Sequence, residues 1–284
     1  MQVLSSPKTL KKLVALLRKK NKSIGFVPTM GSLHEGHLTL AKKSIQENNF
    51  TIASIFVNPL QFGPREDFKR YPRHLIRDKK LLREAGVDAL FLPDADEFYP
   101  KDFQTTVSLS RLSQPLCGKS RPGHFSGVAT VIMKLLNLTS PDRLYLGLKD
   151  YQQCRVVEQM VEDMGLSVLV CRVPIAREKD GLAMSSRNIY LSSQERAEAV
   201  ILSRALSRAR DFIRLGQRNV GFIKREILQT LRSASLARVD YAEIVNARTL
   251  ESVVKLQKGD EVVVALAVYF SKTRLIDNLT MSVG

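Results

Sequence analysis

The sequence predicts an α/β fold: a Rossmann-like parallel sheet with helices on both faces, followed by a smaller C-terminal α+β domain. Three observations carry that expectation. Short β-prone runs alternate with helical patterns through the first 175 residues. After Pro174 the order changes to helices followed by strands. A chain of 284 residues, 44% of them hydrophobic, is also long enough to bury a core in each of two domains. The expected division is 1–175 and 176–284.

The elements follow in order. Ser6 before Pro7 opens a helix, because serine can cap the orphan amides and proline tolerates the first helical position. Leu10, Leu13, Val14 and Leu17 then share one face. No acidic residue precedes Glu35, a bias shared with organelle transit peptides, but the capped amphipathic pattern favours a helix covering the sheet. Strands are expected at 23–27, 51–57, 89–92, 144–146 and 168–173, with helices at 38–48 and at 76–85, the latter stopped by Gly86. Ligands of such sheets bind beyond the carboxyl ends of the strands, near the point where strand order reverses.

Past Pro174, "REKDGLAMSSRNIYLS" carries few apolar residues and reads as a functional loop. Ser192 with Glu195 forms a capping box opening a long helix to Leu215, ended by Gly216. A helix near 222–231 precedes two β-rich runs, 239–245 and 261–269.

Lysine and arginine number 44 against 28 acidic residues, a net charge of +16 that favours anionic partners. Cutting at Ile175 leaves excesses of +10 and +6, and neither part has the unbroken basic tract of a nucleic-acid arm. There is no tryptophan and no aromatic stacking stripe, which weighs against an RNA-binding module. Cys117, Cys154 and Cys171 are odd in number and lack Cys-x-x-Cys spacing, which fits a reducing, cytoplasmic setting better than a disulfide framework. No apolar run approaches the roughly 20 residues of a membrane span.

Five segments can carry chemistry. In "FVPTMGSLHEGHLTLA" two of the four histidines, His34 and His37, stand three apart, a spacing that fails the His-Glu-x-x-His zinc protease pattern. A zinc site would need distant ligands. A phosphate site has more behind it: a β run leads through Gly31 and Gly36 into a helix, so that free amides, the helix dipole and two imidazoles face one point. In "SIFVNPLQFGPREDFKRYPR", Asn58 and Gln61 offer amides at a strand's carboxyl end, or else shape the turn through backbone hydrogen bonds. In "CGKSRPGHFSGVATVIMKLL", Arg121 and His124 lead into a helix expected to begin near Val128; Arg121 is either an anion contact or an ordinary ion-pair partner. "LGLKDYQQ" sets Lys149 and Asp150 after a strand and Gln153 one helical turn beyond Lys149. "DGLAMSSRN" supplies two hydroxyls and an arginine on a mobile loop or an interdomain linker.

Together with "TRLIDN" at 273–278, these blocks resemble the pantothenate synthetases, the pantoate:beta-alanine ligases of the nucleotidyltransferase superfamily with its His-x-x-His motif. "AMSSRN" is similar to the lysine-serine loop of class I aminoacyl-tRNA synthetases. The resemblance implies adenylation of pantoate by ATP, then attack of beta-alanine on the pantoyl adenylate. It implies a catalytic set of His34, His37, Lys149 and Arg187, with His37 as proton donor. Met30, Gly31, Ser32, Leu33, His34, Glu35, Gly36 and His37 would form the first ATP segment and Gly147, Leu148, Lys149 and Asp150 the second. Ala176 would border the adenine, while Met184, Ser185, Ser186 and Arg187 close on the triphosphate. Gln61 and Gln153, with Asn58 and Arg121, would hold pantoate or beta-alanine. By the same resemblance, 1–175 binds nucleotide and pantoate, 176–284 acts as a lid, Mg2+ rides on the ATP phosphates without an assigned protein ligand, and the enzyme is a cytoplasmic homodimer. Two departures stand out: Leu148 where a polar residue is common, and Ser271 where glycine is usual.

Overall fold

The computed structural model describes residues 1–64 and 66–284. In chain order the elements begin with β1 (Gln2–Leu4), α1 (Pro7–Lys19), β2 (Ile24–Thr29), α2 (Glu35–Glu47) and β3 (Phe50–Ile55). Next come α3 (Leu75–Ala85), β4 (Ala89–Phe91), α4 (Ala95–Phe98), α5 (Cys117–Ser120), α6 (His124–Thr139), β5 (Arg143–Gly147), α7 (Tyr151–Asp163) and β6 (Leu169–Val173). The chain ends with α8 (Ser193–Ala199), α9 (Ile201–Arg214), α10 (Val220–Arg232), β7 (Ala237–Asn246), β8 (Glu261–Phe270) and β9 (Thr273–Ser282).

Two compact units result. The first comprises Met1–Ser113, Arg121–Leu148 and Gln153–Pro174; the second comprises Gln114–Ser120, Lys149–Gln152 and Ile175–Gly284. The chain leaves the first unit for the last time at Pro174, beside the expected division. Two short earlier segments also group with the second unit.

The first unit is built on a parallel sheet of order β1-β4-β3-β2-β5-β6. Strand order reverses between β2 and β5, so the crevice for a ligand opens past Thr29 and Gly147. Both faces of β2 are covered: Phe26 and Val27 are fully buried although their side chains point to opposite sides. Ser6 caps α1 by accepting from the Lys8 amide (3.2 Å), and Leu10, Val14 and Leu17 bury its apolar face. Near β5, Tyr145 is buried and its hydroxyl donates to Glu47 Oε2 (2.8 Å) and accepts from Asn48 Nδ2 (2.8 Å), tying the end of α2 to the strand.

The second unit packs α8, α9 and α10 on an antiparallel sheet of order β7-β8-β9, with Leu206, Ile223, Ile227, Val264 and Leu266 in its core. The Ser192–Glu195 capping box forms as the sequence predicts. The single long helix does not. At Val200 (φ −59°, ψ −19°) one ladder ends and the next begins, and the Val200 carbonyl accepts from the Ser203 hydroxyl (3.0 Å) and the Arg204 amide (3.3 Å). β1 and β9 lie outside the expected strands. β1 has three residues of which only Leu4 is buried, and β9 places the polar pair Asp277 and Asn278 among its buried positions, which hides the strand pattern. Ser271, between β8 and β9, takes φ +49°, the conformation for which glycine is suited, and its hydroxyl donates to Glu195 Oε1 (2.5 Å). Among the described residues no helix is long and apolar enough to cross a membrane.

Candidate active site

In the first unit, the turn from β2 to α2 passes through Gly31 (φ +82°) and Ser32 (φ +50°). A Cβ on Gly31 would meet Ile55 Cγ2 at 3.0 Å and Asp78 Oδ2 at 3.1 Å, so both conformation and space call for glycine. The sequence pattern predicts that this turn presents free amides to an anion. That is corrected for two of them: the buried Asp78 carboxylate of α3 accepts from Ser32 N (2.8 Å) and Leu33 N (2.9 Å), and Arg77 Nη1 donates to the Leu33 carbonyl (3.1 Å). Among the described residues, the amides of Glu35 and Gly36 have no carbonyl one turn back within the helix. Asp78 is not among the residues singled out from sequence. Its signal was available, since it stands four residues before the buried Leu82 on the inward face of α3.

His34 is the N-cap of α2, and its amide donates to His37 Nδ1 (3.3 Å). A nitrogen that accepts carries no proton, so in neutral His37 the proton sits on Nε2. The two rings lie 4.0 Å apart between centroids. Glu35 points its charge elsewhere, pairing with Lys42 (2.6 Å).

Met30 and Gln61 come together, with Gln61 Nε2 donating to Met30 Sδ (3.1 Å). Gln61 is held from behind. Its Oε1 accepts from Asn58 Nδ2 (3.0 Å), and Asn58 also donates to the Gly127 carbonyl (3.0 Å) while its Oδ1 accepts from Leu60 N (3.3 Å) and the Tyr99 hydroxyl (3.1 Å). Burial pushes the Tyr99 phenol well above its ordinary range, keeping it a donor. Asn58 therefore has its donors and acceptor filled within the protein, which fits the reading in which it shapes the turn and orients Gln61. The helix beside this turn, α6, starts at His124 rather than near Val128. It can approach because residue 127 is glycine: a Cβ there would sit 2.2 Å from Leu60 O and 2.5 Å from Gln61 N.

Arg121 is likewise an ion-pair partner. Its Nε and Nη2 grip Glu66 Oε1 and Oε2 at 2.6 Å each, and Nη1 meets His124 Nε2 (2.9 Å), whose Nδ1–H donates to the Gln61 carbonyl (2.8 Å). Burial would raise the Glu66 carboxyl, but the Arg121 guanidinium outweighs it and holds the acid below its ordinary range.

Beyond β5, Gly147 and Leu148 close the first unit's share of the second segment, and Gln153 stands half-buried near the start of α7. Its neighbour Gln152 is spent inside the second unit, accepting from Cys117 N (3.0 Å) and donating to Pro115 O (2.7 Å).

In the second unit, Lys149 Nζ lies 3.5 Å from Asp150 Oδ1, and its carbonyl accepts from Asn278 Nδ2 (2.9 Å). Residues 176–184 fold back on themselves, Met184 N donating to Ala176 O (2.9 Å) and Arg177 bridging to Ala183. Arg177 makes a two-pronged pair with buried Asp277 (2.7 and 2.9 Å), and Arg196 binds Glu178 (2.6 Å) and Asp180 (2.7 Å). Ser185 then caps a 3₁₀ turn, its Oγ accepting from Arg187 N (3.3 Å), with Ser186 buried. Among the described residues no three His, Cys, Asp or Glu side chains converge as a metal site, and the cysteines are free.

A model of the pantoate-beta-alanine ligase family matches residues 2–280. The pantothenate synthetase of Caldicellulosiruptor bescii is 51% identical over 281 residues, 99% of either chain. Among solved structures, pantothenate synthetase from Thermus thermophilus superposes with a TM-score of 0.92 at 46% identity, over 98% of this chain and 99% of that one. Pantoate-beta-alanine ligase from Francisella tularensis, complexed with beta-gamma ATP and beta-alanine, gives 0.81 at 37% identity, over 98% and 97%.

Proposed function

The chain belongs to the pantoate-beta-alanine ligase family, and from that premise we propose how its residues divide the reaction. It is an ATP-dependent carbon-nitrogen ligase that condenses pantoate with beta-alanine through a pantoyl adenylate. In the first step a pantoate carboxylate oxygen attacks the α-phosphorus and pyrophosphate leaves. In the second the amine of beta-alanine attacks the acyl carbon, AMP leaves, and the amine proton goes to solvent. A free carboxylate is a poor acyl donor, so adenylation supplies the leaving group, and the protein has chiefly to position reactants and offset phosphate charge.

His34 and His37 meet the phosphates, His37 donating from Nε2. The Glu35 and Gly36 amides at the start of α2 add neutral donors and the helix dipole. Gln61, oriented by Asn58 and by the Arg121–His124 pair, takes pantoate together with Gln153. Lys149 acts as a point charge on the phosphates, Ala176 borders the adenine, and Ser185, Ser186 and Arg187 close over the triphosphate. Mg2+, bound through the ATP phosphates, would supply charge neutralisation there. A homodimer in the cytoplasm completes the proposal.

The observation that carries this reading is the His34–His37 pair at the carboxyl end of β2, beside the strand-order reversal, in a chain matched by the family from residue 2 to 280. It is tested by pantoate-dependent exchange of labelled pyrophosphate into ATP, with Mg2+ present and beta-alanine absent. Exchange requiring pantoate is expected, and His37→Ala should slow it by about 10²- to 10⁴-fold. Exchange at the wild-type rate in folded His37→Ala would remove that role; none in the wild type would move the acid substrate elsewhere.

A further inference from the structure

We infer that the adjacent pair Asp277–Asn278 on β9 positions both phosphate-binding segments of the second unit, Asn278 through Lys149 and Asp277 through Arg177. The inference rests on the ligase reading given above for Lys149 and Arg187.

Lysine and arginine side chains are long and rotamer-rich, so where their charges stand depends on how firmly their backbone is held. For Lys149 the hold is the hydrogen bond from Asn278 Nδ2 to its carbonyl (2.9 Å). For the other segment the hold begins at Arg177. Its guanidinium is fixed by both Asp277 oxygens and donates across the hairpin to the Gly181 carbonyl (2.9 Å). Arg177 bridges to Ala183, and the Met184 amide returns to Ala176 (2.9 Å), so Ser185 and Arg187 follow directly from an anchored base.

Asp277 is itself oriented. Its side chain is 1% exposed, and Oδ1 accepts from the Asn278 amide (2.8 Å) as well as from Arg177. Adjacent residues of a strand point to opposite faces and are only ~3.3 Å apart along it, which gives one rigid unit two arms. A buried ion pair is a poor way to gain stability compared with apolar packing, whereas it fixes geometry well. That balance points to positioning rather than to fold strength.

A double-mutant cycle in pyrophosphate exchange separates the two. Asn278→Ala should lower the turnover rate about tenfold or more while the pantoate KM stays within about twofold. In a Lys149→Ala background, Asn278→Ala should cost less than about twofold further, because its effect runs through a side chain already gone. The Asp277 arm is read from the less buried side, with Arg177→Gln tested in wild-type and Arg187→Ala backgrounds, which avoids leaving a hole at Asp277. Losses that multiply in both double variants, or Asn278→Ala at the wild-type rate, overturn the inference. Lys149→Ala at the wild-type rate would instead bring down the role of Lys149 first; a slow Lys149→Ala beside an unimpaired Asn278→Ala would sink the positioning inference alone.

Discussion

The turn carrying His34 and His37 and the hairpin leading to Ser185 and Arg187 are both short connections, yet they are mounted by different physics. The first hangs on a buried carboxylate accepting two backbone amides, with backbone conformations at residues 31 and 32 that few side chains tolerate. The second is staked partly by ion pairs open to water: the side chains of Arg196, Glu178 and Asp180 are 28%, 33% and 43% exposed. Exposed pairs are each worth roughly 0–1 kcal/mol and weaken with salt, whereas a buried amide left without its acceptor costs about 1–3 kcal/mol. On the role proposed for His37, a proton donor needs a fixed mount. On the roles proposed above, a segment that covers a nucleotide needs one that can be exchanged.

The buried mounts should therefore break hardest. Gly127→Ala forces a methyl group against the Leu60 carbonyl and the Gln61 amide, so either α6 or the Asn58–Gln61 turn must shift. We expect a loss of about 3 kcal/mol in denaturant unfolding, and pantoate affinity reduced more than ATP affinity in any folded fraction. A fully active Gly127→Ala would show that the close approach is dispensable. Asp78→Ala comes next, at about 2–4 kcal/mol, with pyrophosphate exchange falling alongside. Asp78→Asn keeps one acceptor oxygen and should lose less than Asp78→Ala; equal losses in these two variants would mean that charge, not amide acceptance, holds the turn.

The second mount should yield more gently. Arg196→Gln releases both Glu178 and Asp180, and amide hydrogen exchange across 178–188 should quicken about threefold to tenfold while that of 31–38 is unchanged. Raising salt from about 0.05 to 0.5 M should mimic the variant in the wild type. Equal acceleration in the two segments would erase the distinction between them.

Local pattern explains how much was legible beforehand. Alternating β runs and amphipathic helices exposed the parallel sheet, and caps such as Ser6 and Ser192 are written within three residues of what they cap. Asp78 lies 45 and 46 residues from the amides it accepts, and Asn58 lies 69 from the Gly127 carbonyl it bonds. Nothing local announces such pairings. The same holds for Arg121, which pairs with Glu66, 55 residues away. In β9 the two buried polar residues that broke the strand pattern are the ones that reach other segments.

The smallest expected effect concerns that Arg121–Glu66 pair, and it probes whether a charge on the first unit behaves as part of a buried mount. Burial raises the Glu66 carboxyl, but hydrogen bonding and attraction from Arg121, helped by the Gly63 backbone, bring it below the ordinary 4.5. A group with a lowered pKa stabilises the folded state fully above the unfolded value and loses that contribution as pH falls through the folded one. The acid side of the stability profile should therefore steepen below about pH 4.5, by no more than about 1 kcal/mol after solvent screening. Glu66→Gln should remove that slope, since an amide does not titrate there. Because Arg121 also meets His124, which supports the Gln61 carbonyl, Glu66→Gln should raise the pantoate KM a few-fold at neutral pH and leave the ATP KM unchanged. An undiminished acid slope in Glu66→Gln would assign it to other carboxylates. A flattened slope with an unchanged pantoate KM would make the pair a stabilising contact that does not reach Gln61.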